Sequence, residues 1–175
     1  MTCPYALTKD GFEMEMGTNH FGHFYLTKLL RSSKSRVVNV SSLAHVMWQV
    51  PCTSDTYAQQ LNKETYKPWN AYSLSKTANI YFTRELHRCF HSQGLNACAL
   101  HPGGVDTGLA RHTPMLQLLF APIRLLLFKT QLEGAQTNLY CAVADDVVSG
   151  KYYSDCHESD LGNPHADNPE RAHEW

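Results

Sequence analysis

Residues 36–42 read Arg-Val-Val-Asn-Val-Ser-Ser, and residues 96–104 read Asn-Ala-Cys-Ala-Leu-His-Pro-Gly-Gly. Each is a short apolar run closed by small or turn-forming residues, a pattern that predicts two buried strands, 36–41 and 96–101. Between them, apolar periodicity predicts a helix that Asn70 caps and that runs to about 92, with Gly94 where a left-handed residue is needed. A helix joining two strands is the parallel crossover unit of α/β sheets.

Outward from this unit, Asp10-Gly-Phe-Glu13 has capping-box spacing, and Phe12, Met16, Phe21, Phe24, Leu26, Leu29 and Leu30 recur at helical intervals. They predict a helix over about 11–31. Residues 43–69 read as a long connection with a short helix near 57–62. Downstream, helices are expected over 115–128 and 131–144, the latter opened by Thr130-Gln-Leu-Glu133, and a third short strand over 151–154. The last residues are polar, and Asn168-Pro169 has the form of an N-cap followed by proline. The order helix, strand, helix, strand, helices, strand gives an α/β parallel sheet, with three strands few for a doubly wound fold.

The chain has 175 residues, 43% hydrophobic and 18% charged, with a formal net charge of −1. That size is one domain, and that composition excludes wholesale disorder. No basic excess points to nucleic acid as a partner. The six cysteines form no Cys-x-x-Cys pair, which argues against zinc ribbons and disulfide scaffolds and suits a reducing compartment. The N-terminus lacks the form of a signal peptide. The most apolar stretch, Met115–Phe128, is too short to cross a bilayer; it reads as a core helix or as one touching a membrane or covering a substrate.

Tyr72 and Lys76 lie four apart on the central helix, so they share a face. A nearby ammonium lowers a phenol's pKa, which equips tyrosine for acid–base work on a carbonyl or alcohol. The spacing is weak by itself, since Tyr5 and Lys9 satisfy it too. Context adds weight: Ser41-Ser42 and Pro102-Gly-Gly end the two flanking strands at the sheet edge where open α/β folds bind ligands. Among the ten histidines, His87 and His91 stand at i, i+4 without a metalloprotease glutamate, so no metal is expected. No Gly-x-Ser-x-Gly elbow supports a hydrolase. Asn39 reads as structural, Cys98 and Cys141 as core residues, and His45 as either lining the site or exposed.

Four motifs stand in order: Asn19-His-Phe-Gly-His-Phe24, Val38-Asn-Val-Ser-Ser42, Tyr72-Ser-Leu-Ser-Lys76 and Pro102-Gly-Gly-Val-Asp-Thr107. Over about residues 3–157 they resemble the short-chain dehydrogenases/reductases. Ser41-Ser-Leu-Ala-His45, Phe82-Thr-Arg-Glu-Leu86 and Gly134-Ala-Gln-Thr137 resemble the retinol dehydrogenase group within them. The resemblance implies the C-terminal part of a Rossmann-like doubly wound parallel sheet. It also implies hydride transfer between a nicotinamide cofactor and a lipophilic alcohol or its aldehyde or ketone. Tyr72 would be the general acid/base. Lys76 would tune it and hold the nicotinamide ribose, and Ser42 would bind the substrate oxygen. Asn19 would position a water that relays protons to Lys76. Pro102, Gly103, Val105 and Thr107 would contact the cofactor. NADP is favoured, with NAD left open.

The glycine-rich turn that holds the pyrophosphate in this family is not found in the sequence. The expectation is therefore a truncated dehydrogenase domain over 1–157 with a polar tail over 158–175. Such a chain would bind cofactor weakly or not at all. The resemblance also implies dimerisation through the helices bearing Asn19 and Tyr72, so the alternative is a non-catalytic module, as a homo-dimer or paired with a full-length relative. The expected location is cytoplasmic or endoplasmic-reticulum-associated, with peripheral membrane contact open.

Overall fold

In the computed structural model of the chain, the described residues are 1–47, 49–105 and 128–175. One sheet carries β1 (Arg36–Val40), β2 (Asn96–His101), β3 (Tyr152–Ser154) and β4 (His157–Glu158), in that spatial order. β1 pairs in parallel with β2, Val38 opposite Cys98, and β2 in parallel with β3. β4, which the sequence reading did not anticipate, returns antiparallel to β3.

Alternation along the strands assigns each residue to a face. Ala97, Ala99 and Tyr152 turn towards α5 (Pro68–Phe90), where they meet Leu86, Phe82 and Ile80. Cys98, Leu100 and Tyr153 turn the other way, against Cys141 of α6 (Gln131–Val143). With a helix on each face, β2 needs no polar alternation, which is why it reads as a continuous apolar run. Cys98 and Cys141 are the core residues expected of them. Asn39 is structural, as expected: its Nδ2 donates to Thr83 Oγ1 of α5 at 2.8 Å.

α5 begins at Pro68 rather than at Asn70. Proline occupies the first helical turn, where its missing N–H costs nothing, and Lys67 precedes it with no side-chain cap. Gly94 has φ +93°, and a Cβ there would lie 2.2 Å from the Ser33 carbonyl oxygen. Only glycine permits this turn into β2. α6 opens with the expected Thr130/Glu133 capping box.

The N-terminal helix departs from expectation. It starts at Met14, because residues 7–13 fold back on themselves: Leu7 bridges Glu13, and Gly11 turns at φ +84°. Glu13 is therefore the cap and not the third residue, its carboxylate accepting from the N–H groups of Glu15 and Met16 at 2.9 Å each. The single helix becomes α1 (Met14–Met16), a π-helical turn (Gly17–Phe21) and α2 (Gly22–Leu30). Such π-turns are frequent at functional sites, and this one contains Asn19.

The 43–69 connection holds α3 (Ala44–Met47) and α4 (Ser54–Leu61). α4 starts three residues before the expected 57, capped by Thr53 and Thr56 in a box built from two threonines. Residues 158–175, polar in composition, pack onto α5: Ala166 and Ala172 are buried, and the Tyr81 hydroxyl donates to the His165 carbonyl. Asn168 caps α7 (Pro169–Glu174) as its sequence suggested. Thr107 and the expected helix over 115–128 fall outside the described residues, Phe128 excepted.

Candidate active site

The turn that leaves β1 carries Ser41 and Ser42, and α5 passes beneath it. The Ser41 hydroxyl donates to the Lys76 carbonyl at 2.8 Å, and Ser73 donates to the Ala44 carbonyl at 3.1 Å. These two bonds pin the turn to the helix over the turn that begins at Tyr72. Ser42 and Tyr72 meet there: the serine side chain lies close enough to the phenol to favour its ionised form, and its hydroxyl accepts from the Ala44 N–H at 3.2 Å. Lys76, one turn along, places its Nζ 5.6 Å from the Tyr72 ring centroid. Ser42, Tyr72 and Lys76 are thus brought together at the C-terminal end of β1.

Tyr72 is buried, and burial raises its pKa above the usual tyrosine value; the neighbouring Ser42 side chain pulls it down and the Glu15 carboxylate pushes it up. At neutral pH the side chain is therefore a protonated phenol, a donor held for an oxygen acceptor. Burial lowers Lys76 to about 8, with Glu15 opposing. Its Nζ donates to the Val40 carbonyl at 3.1 Å, which also accepts from Asn79 Nδ2 at 3.2 Å. An ammonium makes three donors, so Lys76 keeps N–H groups for a ligand.

Asn19 reaches this site through intermediaries. Its Nδ2 donates to Ser75 Oγ at 3.0 Å and to Glu15 Oε2 at 2.9 Å, and Ser75 Oγ donates on to the Tyr72 carbonyl at 2.7 Å. Asn19 is therefore tied to the backbone that carries Tyr72. Pro102, Gly103 and Val105 follow β2 at the same end of the sheet. Gly103 turns at φ +91° with its N–H donating to His101 Nδ1 at 3.0 Å, and Val105 bridges Lys129.

The sequence reading missed Glu15 and Ser75. Glu15 is buried, accepts from the Cys3 N–H at 3.0 Å, and bears on both Tyr72 and Lys76. Its one sequence signal is its place four residues before Asn19, on the same helical face. His45, left open between lining the site and being exposed, is fully buried behind the Ser42 turn.

No family model matches the chain. Human retinol dehydrogenase 12 is 45% identical over 166 residues, covering 89% of this chain and 50% of that protein. Mouse retinol dehydrogenase 14 is 44% identical over 169 residues, covering 91% of this chain and 49% of that protein. A crystal structure of an uncharacterised protein from Mycobacterium paratuberculosis superposes with a TM-score of 0.69 at 35% identity, over 99% of this chain and 59% of that one. The chain spans about half the length of the curated relatives it matches. In sequence and fold, over about half of the relatives' length, this chain is similar to the retinol dehydrogenases.

Proposed function

We propose that the chain carries the proton-transfer site of an NAD(P)-dependent alcohol dehydrogenase or carbonyl reductase. Its substrate would be a lipophilic alcohol and the corresponding aldehyde or ketone, of the retinol/retinal kind. The observation that carries this reading is the half-buried Ser42 set beside the buried Tyr72, one helical turn from Lys76. In the reducing direction Tyr72 gives its hydroxyl proton to the substrate oxygen as charge develops on it, while Ser42 donates a second hydrogen bond to the same oxygen. In the oxidising direction the proton returns to Tyr72, and the Lys76 ammonium favours the phenolate that accepted it. Asn19 orders the route to Lys76 through Ser75 and Glu15.

The residues present fit the nicotinamide end of the cofactor. Lys76 spends one donor on Val40 and keeps others for ribose hydroxyls, and Gly103, without a Cβ, lets backbone come close. Pro102 and Val105 flank it, with Thr107 two residues on. When bound, the dinucleotide supplies or accepts the hydride. The resemblance favours NADP, with NAD as the alternative. The test is reduction of retinaldehyde by the full chain with NADPH, with Tyr72→Phe for comparison. A fall of at least about 100-fold is expected from loss of a general acid; equal rates in the two proteins reject the reading.

A second reading rests on α2. None of its residues is buried, and Tyr25, Leu26, Leu29 and Leu30 are each more than half exposed. Among the described residues β1 also has no strand on its outer edge. Such surfaces favour association, so a chain with no activity alone would act as an interaction module, as a dimer or with a longer relative. Solution mass and co-purification with such a relative distinguish it. Among the described residues no helix is long and apolar enough to cross a membrane. Peripheral membrane contact and a place at the endoplasmic reticulum belong to this proposal through the resemblance of the sequence motifs.

A further inference from the structure

His45 is a buried imidazole that the proposed chemistry does not use. It is 0% exposed, packed edge-on against the Tyr152 ring with centroids 5.2 Å apart. Its Nδ1 lies 2.5 Å from the Ser42 carbonyl oxygen, and its Nε2 lies 3.0 Å from the Leu161 carbonyl oxygen. A carbonyl only accepts, so each nitrogen faces a group that wants its proton. The backbone of the same residue is also held: its carbonyl accepts from Asn163 Nδ2, and its N–H donates to Ser42 O at 3.2 Å. Asn163 is itself buried, and its Oδ1 accepts from the His165 N–H at 2.9 Å. Residue 45 thus connects two segments far apart in sequence, the turn that presents Ser42 and the stretch 161–165 that packs on α5.

We propose that His45 is a positioning residue: it bolts the Ser42 turn to the 161–163 segment and so fixes the Ser42 hydroxyl against Tyr72. The physical need is plain. A serine side chain has one rotatable bond before its oxygen, so its placement follows the backbone that carries it. That backbone lies in the turn just past β1, one residue beyond the bond from the Ser41 N–H to the Leu100 carbonyl at 2.7 Å. Ser73 anchors the turn from α5 through Ala44, and His45 anchors it from the other side. A neutral ring, favoured by burial, has a single N–H; donated to the Leu161 carbonyl, it ties residue 45 to the C-terminal segment, while the backbone N–H of His45 holds the Ser42 carbonyl. The ring also fills the space beside Tyr152 that a smaller residue would leave empty.

This inference rests on the Ser42–Tyr72 pairing of the proposed site, and its test reads that pairing directly rather than through turnover. The full chain is labelled with 13C at tyrosine Cζ, and the Tyr72 resonance is identified by its loss in Tyr72→Phe. Ser42→Ala sets the displacement caused by losing the serine hydroxyl. His45→Phe, which keeps the ring volume and removes both nitrogens, is expected to move the resonance in the same direction by at least half as much. The double variant is expected to add nothing further. A resonance that moves in Ser42→Ala and stays at its wild-type position in His45→Phe overturns the proposal, even where the melting temperature falls. A resonance unmoved by Ser42→Ala overturns the site pairing itself, and this inference with it. Should His45→Phe fail to fold, Asn163→Ala releases the same turn through the His45 carbonyl, and the same two outcomes decide.

Discussion

Replacing Lys76 by methionine is expected to make the chain more stable and less able to hold a ligand. Burial lowers the Lys76 pKa from its usual 10.5 to about 8. At pH 7 the folded chain therefore carries a charged group that its surroundings disfavour. That fall from 10.5 to about 8 corresponds to roughly 3.4 kcal/mol. Two corrections reduce this. The side chain is only part-buried, so solvent screens some of the cost. Methionine also forfeits the bond to the Val40 carbonyl, worth about 0.5–1.5 kcal/mol, although Asn79 still satisfies that oxygen. The net gain is about 1–2 kcal/mol, or some 2–8 °C in melting temperature for a domain of this size. The pH dependence is more diagnostic. The folded pKa lies below the unfolded one, so between about 8 and 10.5 the unfolded chain binds more protons and wild-type stability rises with pH relative to the variant. Below pH 8 the gap is constant. Urea unfolding of both proteins at pH 7.0 and 9.5 measures it. A variant less stable than wild type at pH 7, or a gap unchanged at 9.5, refutes the reasoning.

His20 titrates with the same sign at lower pH: burial takes it to about 4, against 6.5 when free, so stability is lost as pH falls from 6.5 towards 4. At pH 5 the loss is about 2 kcal/mol, and His20→Leu removes that slope in urea midpoints compared between pH 7 and pH 5. Gly94→Ala forces a Cβ against the Ser33 carbonyl at positive φ and is expected to cost roughly 1–3 kcal/mol by chemical denaturation. Leu100→Ala, which opens a cavity between β2 and α6, is expected to cost about 2–5 kcal/mol in the same assay. Dinucleotide titrated into the chain, followed by calorimetry, is expected to bind no tighter than about 100 μM, since no glycine-rich turn supplies a helix N-terminus for the pyrophosphate; micromolar binding contradicts this.

The central unit was legible because its signals are local and redundant. β1 and β2 are apolar runs closed by Ser-Ser and Pro-Gly-Gly, and the observed strands end within a residue of where those stops put them. Tyr72 and Lys76 follow from helical periodicity alone. The N-terminal helix was misread because two signals competed: Asp10-Gly-Phe-Glu13 fits a capping box, yet Asp-Gly also favours a turn. The turn prevailed because Leu7 pairs with Glu13 across it. α4 was placed late because two threonines, and not a threonine and a glutamate, form its cap. The packing of residues 161–175 was hidden for a different reason. That segment is polar in composition, and what buries it are Leu161, Asn163, two alanines and carbonyl contacts to His45 and Tyr81, which no periodicity encodes.

The same distinction separates the groups that react from the groups that hold them. Ser42, Tyr72 and Lys76 come from one stretch of strand, turn and helix, so the sequence can bring them together without knowledge of anything distant. Glu15, Asn19, Ser75 and His45 work across contacts from the N-terminal helix and the C-terminal segment. This outer set is chemically expensive, with a carboxylate and an imidazole kept out of water beside a part-buried ammonium. Such burial stabilises nothing by itself. Its retention is explained if the site requires a phenol kept protonated and a serine held still, and if the apolar packing of β2 between α5 and α6 supplies the stability that the site gives up. On that account substitutions in the two layers separate cleanly. Changes at Leu100 lower stability and leave the Tyr72 environment alone, whereas changes at Lys76 raise stability and alter it.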